Sequence, residues 1–276
     1  MPLFQVVVLA VIQALTEFLP VSSTAHLILA PWLFGWKDPG LIFDVALHAG
    51  TLVAVLLYFF RDWVQIIGQA LGLRIGSDQQ IKERRDLLWL LAVASIPIGI
   101  FGYLFDKEVE TTWRSPYLIG AMLIVVGVLI WIAEKSRVGN KTMANVSWTD
   151  GVLIGAAQAV SIVPGTSRSG ITIIAGLFRG LNRETAARFS FLLSTPAIAA
   201  AVAKKYWDIH KHGGIPADMK IPFALGTALS GVLGAVVIAV FLRYLRTRSL
   251  MPFVYYRIIF GIIVIALAVF FRFTAE

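Results

Sequence analysis

Cysteine is absent from the 276-residue sequence, and charged residues are scarce. Without cysteine, the chain can form neither a disulfide framework nor a thiolate metal site. Asp, Glu, Lys and Arg make up 14% of the residues, whereas soluble domains carry about a quarter. A secretory signal peptide has basic residues ahead of its apolar run. The first residues here, MPLFQVVVLAVIQ, have none. We therefore expect them to belong to the mature protein.

Hydrophobic residues make up 58% of the sequence, and many fall in long runs. A helix needs ~20 predominantly apolar residues to cross the hydrocarbon core of a bilayer. Six segments meet or approach that length: Leu41–Phe60, Leu87–Phe105, Tyr117–Ala133, Phe189–Ala203, Ile221–Leu242 and Met251–Phe271. The sequence predicts an all-α integral membrane protein of one domain, residues 1–276. The net charge of +8 fits basic cytoplasmic loops rather than nucleic-acid binding.

Two further apolar stretches are too short to span. Leu3–Leu15 runs into TEFLPVSSTAH, and Val152–Val163 runs into PGTSRSG. Proline and hydroxyl residues break or cap helices, and apolar runs of 10–14 residues are typical of buried or re-entrant segments. The sequence therefore predicts two re-entrant helical hairpins in addition to the six transmembrane helices.

The two interrupted stretches resemble each other. QALTEFLPVSST (13–24) and QAVSIVPGTSRS (158–169) share a Gln-Ala start, a proline and a hydroxyl run, and they align with one gap, about 145 positions apart. Each is followed by three predicted spans in the same order. Chance similarity of two apolar segments is the alternative, but the matching order favours an internal repeat of residues 1–136 and 148–272.

Loop charges predict the orientation. The segments 61–86, 134–150, 179–188 and 243–250 together carry 14 Lys and Arg, against 8 in the segments 37–40, 106–116, 204–220 and 272–276. By the positive-inside rule the first group is cytoplasmic. A hairpin plus three spans crosses the membrane an odd number of times, so the second copy is predicted to be inverted. The two hairpin tips should then meet near the bilayer midplane.

Arg168 is the most costly residue at this depth, because an arginine at the bilayer centre costs ~2.5–3.5 kcal/mol even on insertion scales. A structural ion pair is one explanation, and an anion site is the other. The anion site is favoured by the small residues around it and by a predicted helix restart at about 169–171. The N–H groups of a helix N-terminus bind phosphate, and the planar fork of arginine matches its oxygens.

The facing hairpin offers a carboxylate, hydroxyls and an imidazole, from Glu17, Ser22, Ser23, Thr24 and His26. Gln13 precedes Glu17 by one helical turn, on the same face. Simpler interpretations are a Glu17–Arg168 pair, serines that only cap a helix, and an interfacial histidine. Intramembrane ionisable residues are nevertheless functional candidates by default. Together the two tips suit phosphoryl chemistry, which needs a metal ligand, a nucleophile or base, and a charge clamp.

QALTEFLPVSSTAH combined with PGTSRSGIT closely resembles the bacterial undecaprenyl-diphosphate phosphatase family, the bacitracin-resistance phosphatases, over essentially the whole chain. The resemblance implies removal of the terminal phosphate of undecaprenyl diphosphate, which recycles the carrier lipid for peptidoglycan and confers bacitracin resistance. It also implies a multi-pass protein of the bacterial inner membrane with six spans and two re-entrant hairpins, a site open to the periplasmic face, and a requirement for Mg²⁺ or another divalent cation such as Ca²⁺.

The family motifs fall on definite positions of this chain. The acidic motif matches Gln13 and Glu17, the implied metal ligands, although many members carry Glu at the first place. The implied catalytic residues are Glu17, Ser23, His26 and Arg168. The implied substrate-binding residues are Ser22, Thr24, Gly165, Thr166, Ser167, Ser169, Gly170 and Thr172. Ser23 and His26 are three residues apart, so we predict Ser23 as nucleophile and His26 as its base; attack by His26 or by water stays open.

The rival interpretation is a transporter or flippase for a polyprenyl phosphate, because inverted repeats with broken helices are transporter architecture. The expected partners are an isoprenoid diphosphate lipid and membrane lipids, with no nucleic acid, and a homodimer is left open. Two further residues are assigned no role in the reaction. For His48, which could also face the cavity, a packed or interfacial position paired with Asp44 is favoured. Arg257 is predicted to extend toward the cytoplasmic interface.

Overall fold

The computed structural model describes residues 1–82, 84–136 and 139–270. Within these residues the regular elements are helical, apart from one isolated bridge between Lys141 and Leu181. Twelve α-helices follow one another along the described chain: α1 Leu3–Phe18, α2 Ser23–Leu33, α3 Leu41–Tyr58, α4 Phe60–Ala70, α5 Leu87–Leu104, α6 Asp106–Glu110, α7 Pro116–Lys135, α8 Trp148–Ala159, α9 Arg168–Phe178, α10 Arg183–Lys211, α11 Lys220–Leu245 and α12 Met251–Phe270. The predicted all-α fold class is confirmed.

Five of these helices, α5, α7, α10, α11 and α12, are long and apolar enough to cross a membrane. The remaining predicted span, Leu41–Phe60, corresponds to α3, which is followed by α4 after a bend of 69°. The described residues therefore contain five candidate spans, or six if this bent pair counts as one. Two predicted end points lie outside the described residues: Phe271, the end of the last span, and residue 272, the end of the second repeat.

The bend after α3 was not predicted, since the segment 61–86 was expected to be a loop. Instead α4 continues the chain as an amphipathic helix. One face is buried and carries Gln65, Ile66 and Gln69, and the other exposes the large apolar side chains Phe60, Val64, Ile67 and Leu71. Such a distribution of buried polar and exposed apolar side chains is typical of an amphipathic helix.

The helix α10 is also longer than its predicted span, Phe189–Ala203. Asn182 caps it by accepting the backbone N–H of Thr185, and the helix continues for 29 residues through its polar C-terminal turns. Hydropathy detects only the apolar middle of such a helix, which explains the difference.

Each interrupted stretch forms two helices that meet at a break, α1 with α2 and α8 with α9. The two breaks have the same local geometry: Ser22 (φ 78°) and Ser167 (φ 72°) are the non-glycine residues of the described chain with positive φ. Each serine is an N-cap whose Oγ accepts the N–H three residues later, from Ala25 or Gly170. Such backbone is rare for residues with a Cβ, so the breaks are specific features of the fold.

Helix packing is paired between the two halves of the chain. The helix α1 packs on α11 and α8 packs on α5, while α7 packs on α12 and α3 packs on α11. Glycines permit the closest approaches, as in membrane helices generally. An added Cβ on Gly155 would overlap the backbone of Ala94, and Gly120 and Gly261 each face the other's carbonyl oxygen.

Ion pairs divide the loops into two groups. One group is joined by Arg183–Glu134, Arg188–Asp62, Arg188–Asp78, Arg179–Asp150 and Arg246–Glu184. The other is joined by Arg114–Asp38, Lys204–Asp106 and Lys205–Asp106. In the first group, hydrogen bonds from Arg84 lower the pKa of Asp86. These are the same two groups into which the count of Lys and Arg divides the loops, and α5, α7, α10 and α11 each run from one group to the other.

Candidate active site

The two breaks converge on one buried carboxylate. Arg168 Nη2 donates to Glu17 Oε1 at 2.6 Å, across 151 positions of sequence. The other oxygen, Oε2, accepts from Ser23 Oγ at 2.7 Å and from Gln13 Nε2 at 3.1 Å. The side chain of Glu17 is 4% exposed and that of Arg168 19%. The carboxylate of Glu17 is therefore almost fully shielded from water, whereas the side chain of Arg168 is still partly accessible to it.

These side chains surround a cavity of about 140 Å³, lined by Thr16, Glu17, Ser22, Ser23, Thr24, His48, Ile98, Ser161, Ile162, Val163, Ser167 and Arg168. The N-termini of α2 and α9 both begin at this cavity, since Ser23 and Arg168 are their first residues. The first N–H groups of a helix lack partners within it. Two helix ends with positive partial charge and one guanidinium thus face the same small volume, which suits a multiply charged anion.

Of the eight predicted substrate-binding residues, only Ser22, Thr24 and Ser167 line this cavity. The other five, Gly165, Thr166, Ser169, Gly170 and Thr172, shape the second break instead. Ser169 Oγ donates to Leu19 O at 3.1 Å and so joins the two breaks, and Thr172 Oγ1 donates to Arg168 O. Gly165 has a φ of 92°, and a Cβ there would press on the backbone of Ile119. Short spacing along a tight turn sends neighbouring side chains in different directions, which is why the motif as a whole does not face the cavity.

His26 lies outside the cavity lining. Its Nδ1 bonds the carbonyl oxygen of Ser22 at 2.7 Å and its Nε2 bonds Tyr256 Oη, while its ring stacks on Phe260 with centroids 4.9 Å apart. A carbonyl only accepts, so Nδ1 carries the hydrogen and Nε2 accepts from the phenol. The predicted Ser23–His26 pair is therefore not formed. The carbonyl one turn earlier in the chain takes the ring nitrogen that was expected to face Ser23.

We expect Tyr256→Phe to lower the rate of the reaction that this site catalyses by no more than about tenfold. The change removes one hydrogen bond, worth about 0.5–1.5 kcal/mol, but leaves the stacked rings in place. Initial rates at saturating substrate measure the effect, with Tyr255→Phe, an exposed neighbour on the same helix, as the control. A loss as severe as that of a catalytic residue would instead give the phenol a part in the chemistry.

His48 belongs to the site, contrary to the sequence prediction. Its Nε2 lies 3.7 Å from Glu17 Oε2, and the residue lines the cavity. Its Nδ1 bonds the carbonyl oxygen of Asp44 at 2.8 Å rather than the carboxylate. The signal available in the sequence was its ionisable side chain within an apolar helix, one turn after a second ionisable residue.

Arg257 is fully buried and does not extend toward the membrane surface. It lies on α12, which packs against α7 beside both breaks. Its guanidinium donates to five backbone carbonyl oxygens at 2.8–3.2 Å, those of Pro20, Met122, Leu123, Gly165 and Thr166. Buried carbonyl groups freed by a helix break need partners. Arg257 supplies them to both breaks at once and ties the breaks to α7.

The donor set limits how a divalent cation could bind. No group of three His, Cys, Asp or Glu able to hold a metal occurs within the described ranges. Glu17 is the one carboxylate lining the cavity. Gln13 turns its Nε2 toward Glu17, and its Oε1 is buried without a partner. Mg²⁺ commonly binds through one or two carboxylates together with substrate phosphates, so these residues fit a cation shared with a bound diphosphate.

Comparisons with known proteins agree with this chemistry. Residues 6–263 match the family described as bacitracin resistance protein BacA. An undecaprenyl-diphosphatase of Pelotomaculum thermopropionicum is 46% identical over 268 residues, which cover 97% of both chains. Enzymes of the same name from Moorella thermoacetica and Chlorobium limicola are 44% and 45% identical, covering 96% and 95% of this chain and 98% and 95% of theirs.

Proposed function

The chain belongs to the bacitracin resistance protein BacA family, and we propose that the cavity between its two helix breaks is where it acts. The protein is an undecaprenyl-diphosphate phosphatase, which converts undecaprenyl diphosphate to undecaprenyl phosphate and inorganic phosphate. This reaction returns the carrier lipid to peptidoglycan synthesis and underlies bacitracin resistance. The observation that supports the cavity as the site is the contact of Arg168, Glu17 and Ser23 across the two halves of the chain.

Substrate binding begins with an exchange of partners at Arg168. Without substrate, its guanidinium is neutralised by Glu17 at 2.6 Å. A diphosphate in the cavity offers the guanidinium planar pairs of oxygens and accepts N–H groups at the start of α2 and α9. As Arg168 turns to the phosphate, Glu17 Oε1 loses this hydrogen bond and becomes free to bind a cation or accept a proton. In the substrate-free protein, the ion pair with Glu17 thus holds the Arg168 side chain at the cavity.

Ser23 is the proposed nucleophile and Glu17 its base. The hydroxyl already donates to Glu17 Oε2 at 2.7 Å, whereas His26 is turned away. As Ser23 Oγ forms a bond to the terminal phosphorus, its proton passes to Glu17, and the bond to the bridging oxygen breaks. Undecaprenyl phosphate leaves with the electron pair of that bond. The protonated Glu17 gives this proton to the departing undecaprenyl phosphate and becomes a base again. It then takes a proton from a water molecule as the water oxygen bonds to the phosphorus of the phosphoserine. The bond from phosphorus to Ser23 Oγ breaks, Oγ takes the proton back from Glu17, and inorganic phosphate is released.

A divalent cation, Mg²⁺ or Ca²⁺, would be held by Glu17 and by oxygens of the diphosphate, with Gln13 supporting the carboxylate. When bound, it neutralises charge that develops on the phosphate oxygens. Arg168 and the helix N-termini act on the same charge from the protein side. His48, 3.7 Å from Glu17 Oε2, orients the carboxylate on its remaining flank.

Six spans and two re-entrant hairpins, arranged as an inverted repeat in the bacterial inner membrane, account for this site. Equivalent serine caps at the two breaks and the paired packing of α1 on α11 and α8 on α5 support the repeat. Cavities that adjoin Arg168 are lined by Asp106, Arg114 and Lys205, which lie in the less basic loop group. The positive-inside rule makes that group periplasmic, so the site opens to the periplasmic face.

A phosphatase and a transporter predict different results with purified protein. In detergent with Mg²⁺, the protein should release inorganic phosphate stoichiometrically from an isoprenoid diphosphate. Binding or transbilayer movement of the lipid without phosphate release would favour the transporter. The names of the relatives and the hydroxyl bonded to a buried carboxylate favour hydrolysis.

We expect a phosphoserine at position 23 during turnover. Rapid acid quenching with substrate labelled in the terminal phosphate should trap label on the protein, and peptide mapping should place it on Ser23. Ser22→Ala retains the neighbouring nucleophile and should still take up label, whereas Ser23→Ala should not. Active enzyme that never carries label on Ser23 would overturn Ser23 as the nucleophile, because a phosphoserine survives acid quenching.

A further inference from the structure

A groove of about 570 Å³ opens between α5 and α10, beside the catalytic cavity. Its inner end is formed by Ile98, Ile162 and Arg168, which also line that cavity. Its walls are formed by small and apolar residues, chiefly Ala92, Gly99 and Gly102 of α5 and Ala197, Ala200 and Ala201 of α10. The groove, called here the α5–α10 groove, therefore leads directly from the guanidinium into an apolar channel.

The glycines of this groove differ from those at helix contacts. An added Cβ on Gly120 or Gly155 would press on a neighbouring helix. An added Cβ on Gly99 or Gly102 would meet no atom within 4 Å. Glycine weakens a helix relative to alanine, and at these two positions no close helix contact compensates for it. What the two glycines provide is space along the wall of the groove.

We propose that the α5–α10 groove binds the isoprenoid chain of the substrate, with the isoprene units nearest the diphosphate beside Arg168. The inference rests on the proposed function, because only a lipid diphosphate requires both compartments. Nine of the twelve residues that line the polar cavity carry polar or charged side chains, so the apolar chain must leave it. The α5–α10 groove offers an exit that begins at Arg168 and has mainly apolar walls, and its ionic residues Asp106, Lys204 and Lys205 pair with one another at the loop end.

A second opening has a different character. A cavity of about 300 Å³ also reaches Arg168, and Asp44 and His48 line it beside the catalytic cavity, with Arg114 and Lys205 farther out. In the α5–α10 groove, by contrast, the charged residues other than Arg168 pair with one another at its loop end. Ionisable groups are costly beside a hydrocarbon chain but favourable beside water or phosphate. The released phosphate therefore leaves through this opening, and the chain stays in the α5–α10 groove.

Filling the groove tests the assignment. Gly102→Leu and Ala200→Leu each place a branched side chain in the channel, remote from the polar cavity. We expect each to raise KM for a 55-carbon isoprenoid diphosphate by about tenfold or more, the scale of a misfit in an apolar pocket. Activity on 5-carbon dimethylallyl diphosphate should stay within about twofold. Ala203→Leu is the matched control, because Ala203 is exposed on the same helix but lines none of these cavities, and it should change neither substrate.

Each other outcome has a definite meaning. An unchanged KM for the long substrate in both groove variants would overturn the assignment and leave the groove to ordinary membrane lipids. An equal loss on both substrates would also overturn it, because the variants would then act on the catalytic cavity. Wild-type protein that releases no phosphate from either substrate would refute the proposed function itself, a result that no groove variant can mimic.

Discussion

Arg168→Ala is expected to lower kcat/KM for phosphate release by about 10³-fold or more, the scale found when an arginine that neutralises a transferring phosphoryl group is removed. In this chain the effect has two sources. The variant loses the guanidinium that holds the diphosphate. It also leaves Glu17, 4% exposed, as a buried carboxylate whose nearest cation is gone, and such a group favours its protonated form. A protonated Glu17 cannot accept the proton of Ser23.

Two substitutions sharpen this test. Arg168→Lys retains the charge but loses the planar fork, so its activity should fall between wild type and Arg168→Ala. Arg74→Ala removes an arginine from an exposed loop and should leave activity unchanged. Initial rates of phosphate release over a range of substrate concentrations measure all three. Wild-type kcat/KM in Arg168→Ala would exclude this arginine from the site.

A double substitution separates the two sources of the effect. If Arg168 and Glu17 act as one unit, Glu17→Ala combined with Arg168→Ala should be little worse than either change alone. Fully multiplicative losses would mean that the two groups act independently. The contact of 2.6 Å between them predicts strong coupling.

The positions of the two breaks could be predicted from the sequence because their causes are local. Proline and hydroxyl residues after a short apolar run stop a helix, and a serine cap restarts it wherever the chain folds. The meeting of the breaks, shown by the contact of Arg168 with Glu17, was also predicted, because the sequence predicts a second repeat copy that is inverted. For these reasons the sequence alone predicts that Glu17, Ser23 and Arg168 belong to one site.

The directions of side chains could not be predicted in the same way. The spacing of Ser23 and His26 allows a contact, but the carbonyl of Ser22 and the phenol of Tyr256, 230 positions away, take both ring nitrogens. His48 reaches Glu17 only because α3 packs beside the first break. Arg257 was predicted to extend toward the cytoplasmic interface. Its buried position could not be predicted, because its five carbonyl partners come from three distant parts of the chain. No pattern of residue types along the sequence records such contacts.

Arg257→Met is expected to abolish most activity without touching the cavity itself. Methionine approximates the length of the arginine stem but donates no hydrogen bond. The carbonyl oxygens of Pro20, Gly165 and Thr166 at the breaks therefore lose their donor, and the links to Met122 O and Leu123 O in α7 are lost as well. A buried acceptor left without a donor costs about 1–3 kcal/mol, so the three carbonyls at the breaks together cost about 3–5 kcal/mol or more. Because Pro20 O belongs to the first break and Gly165 O to the second, the breaks lose the residue that fixes their separation. A shift of 1 Å between catalytic groups can cost about 10²-fold in rate.

The structure predicts how this loss differs from that of a catalytic residue. Arg257→Met should lower the apparent Tm by about 10 °C, as 3–5 kcal/mol does for a protein of this size, and should lower activity at least about 10²-fold while helical content is retained. In Arg257→Lys the ammonium has three donors for five carbonyls. Its Tm and its activity should therefore fall between those of wild type and those of Arg257→Met. Arg243→Met, on the exposed side of α11, is the matched control and should change neither quantity. Full activity and an unchanged Tm in Arg257→Met would show that the two breaks hold their positions without it, because the contacts of Ser169 with Leu19 and of Arg168 with Glu17 would then be sufficient.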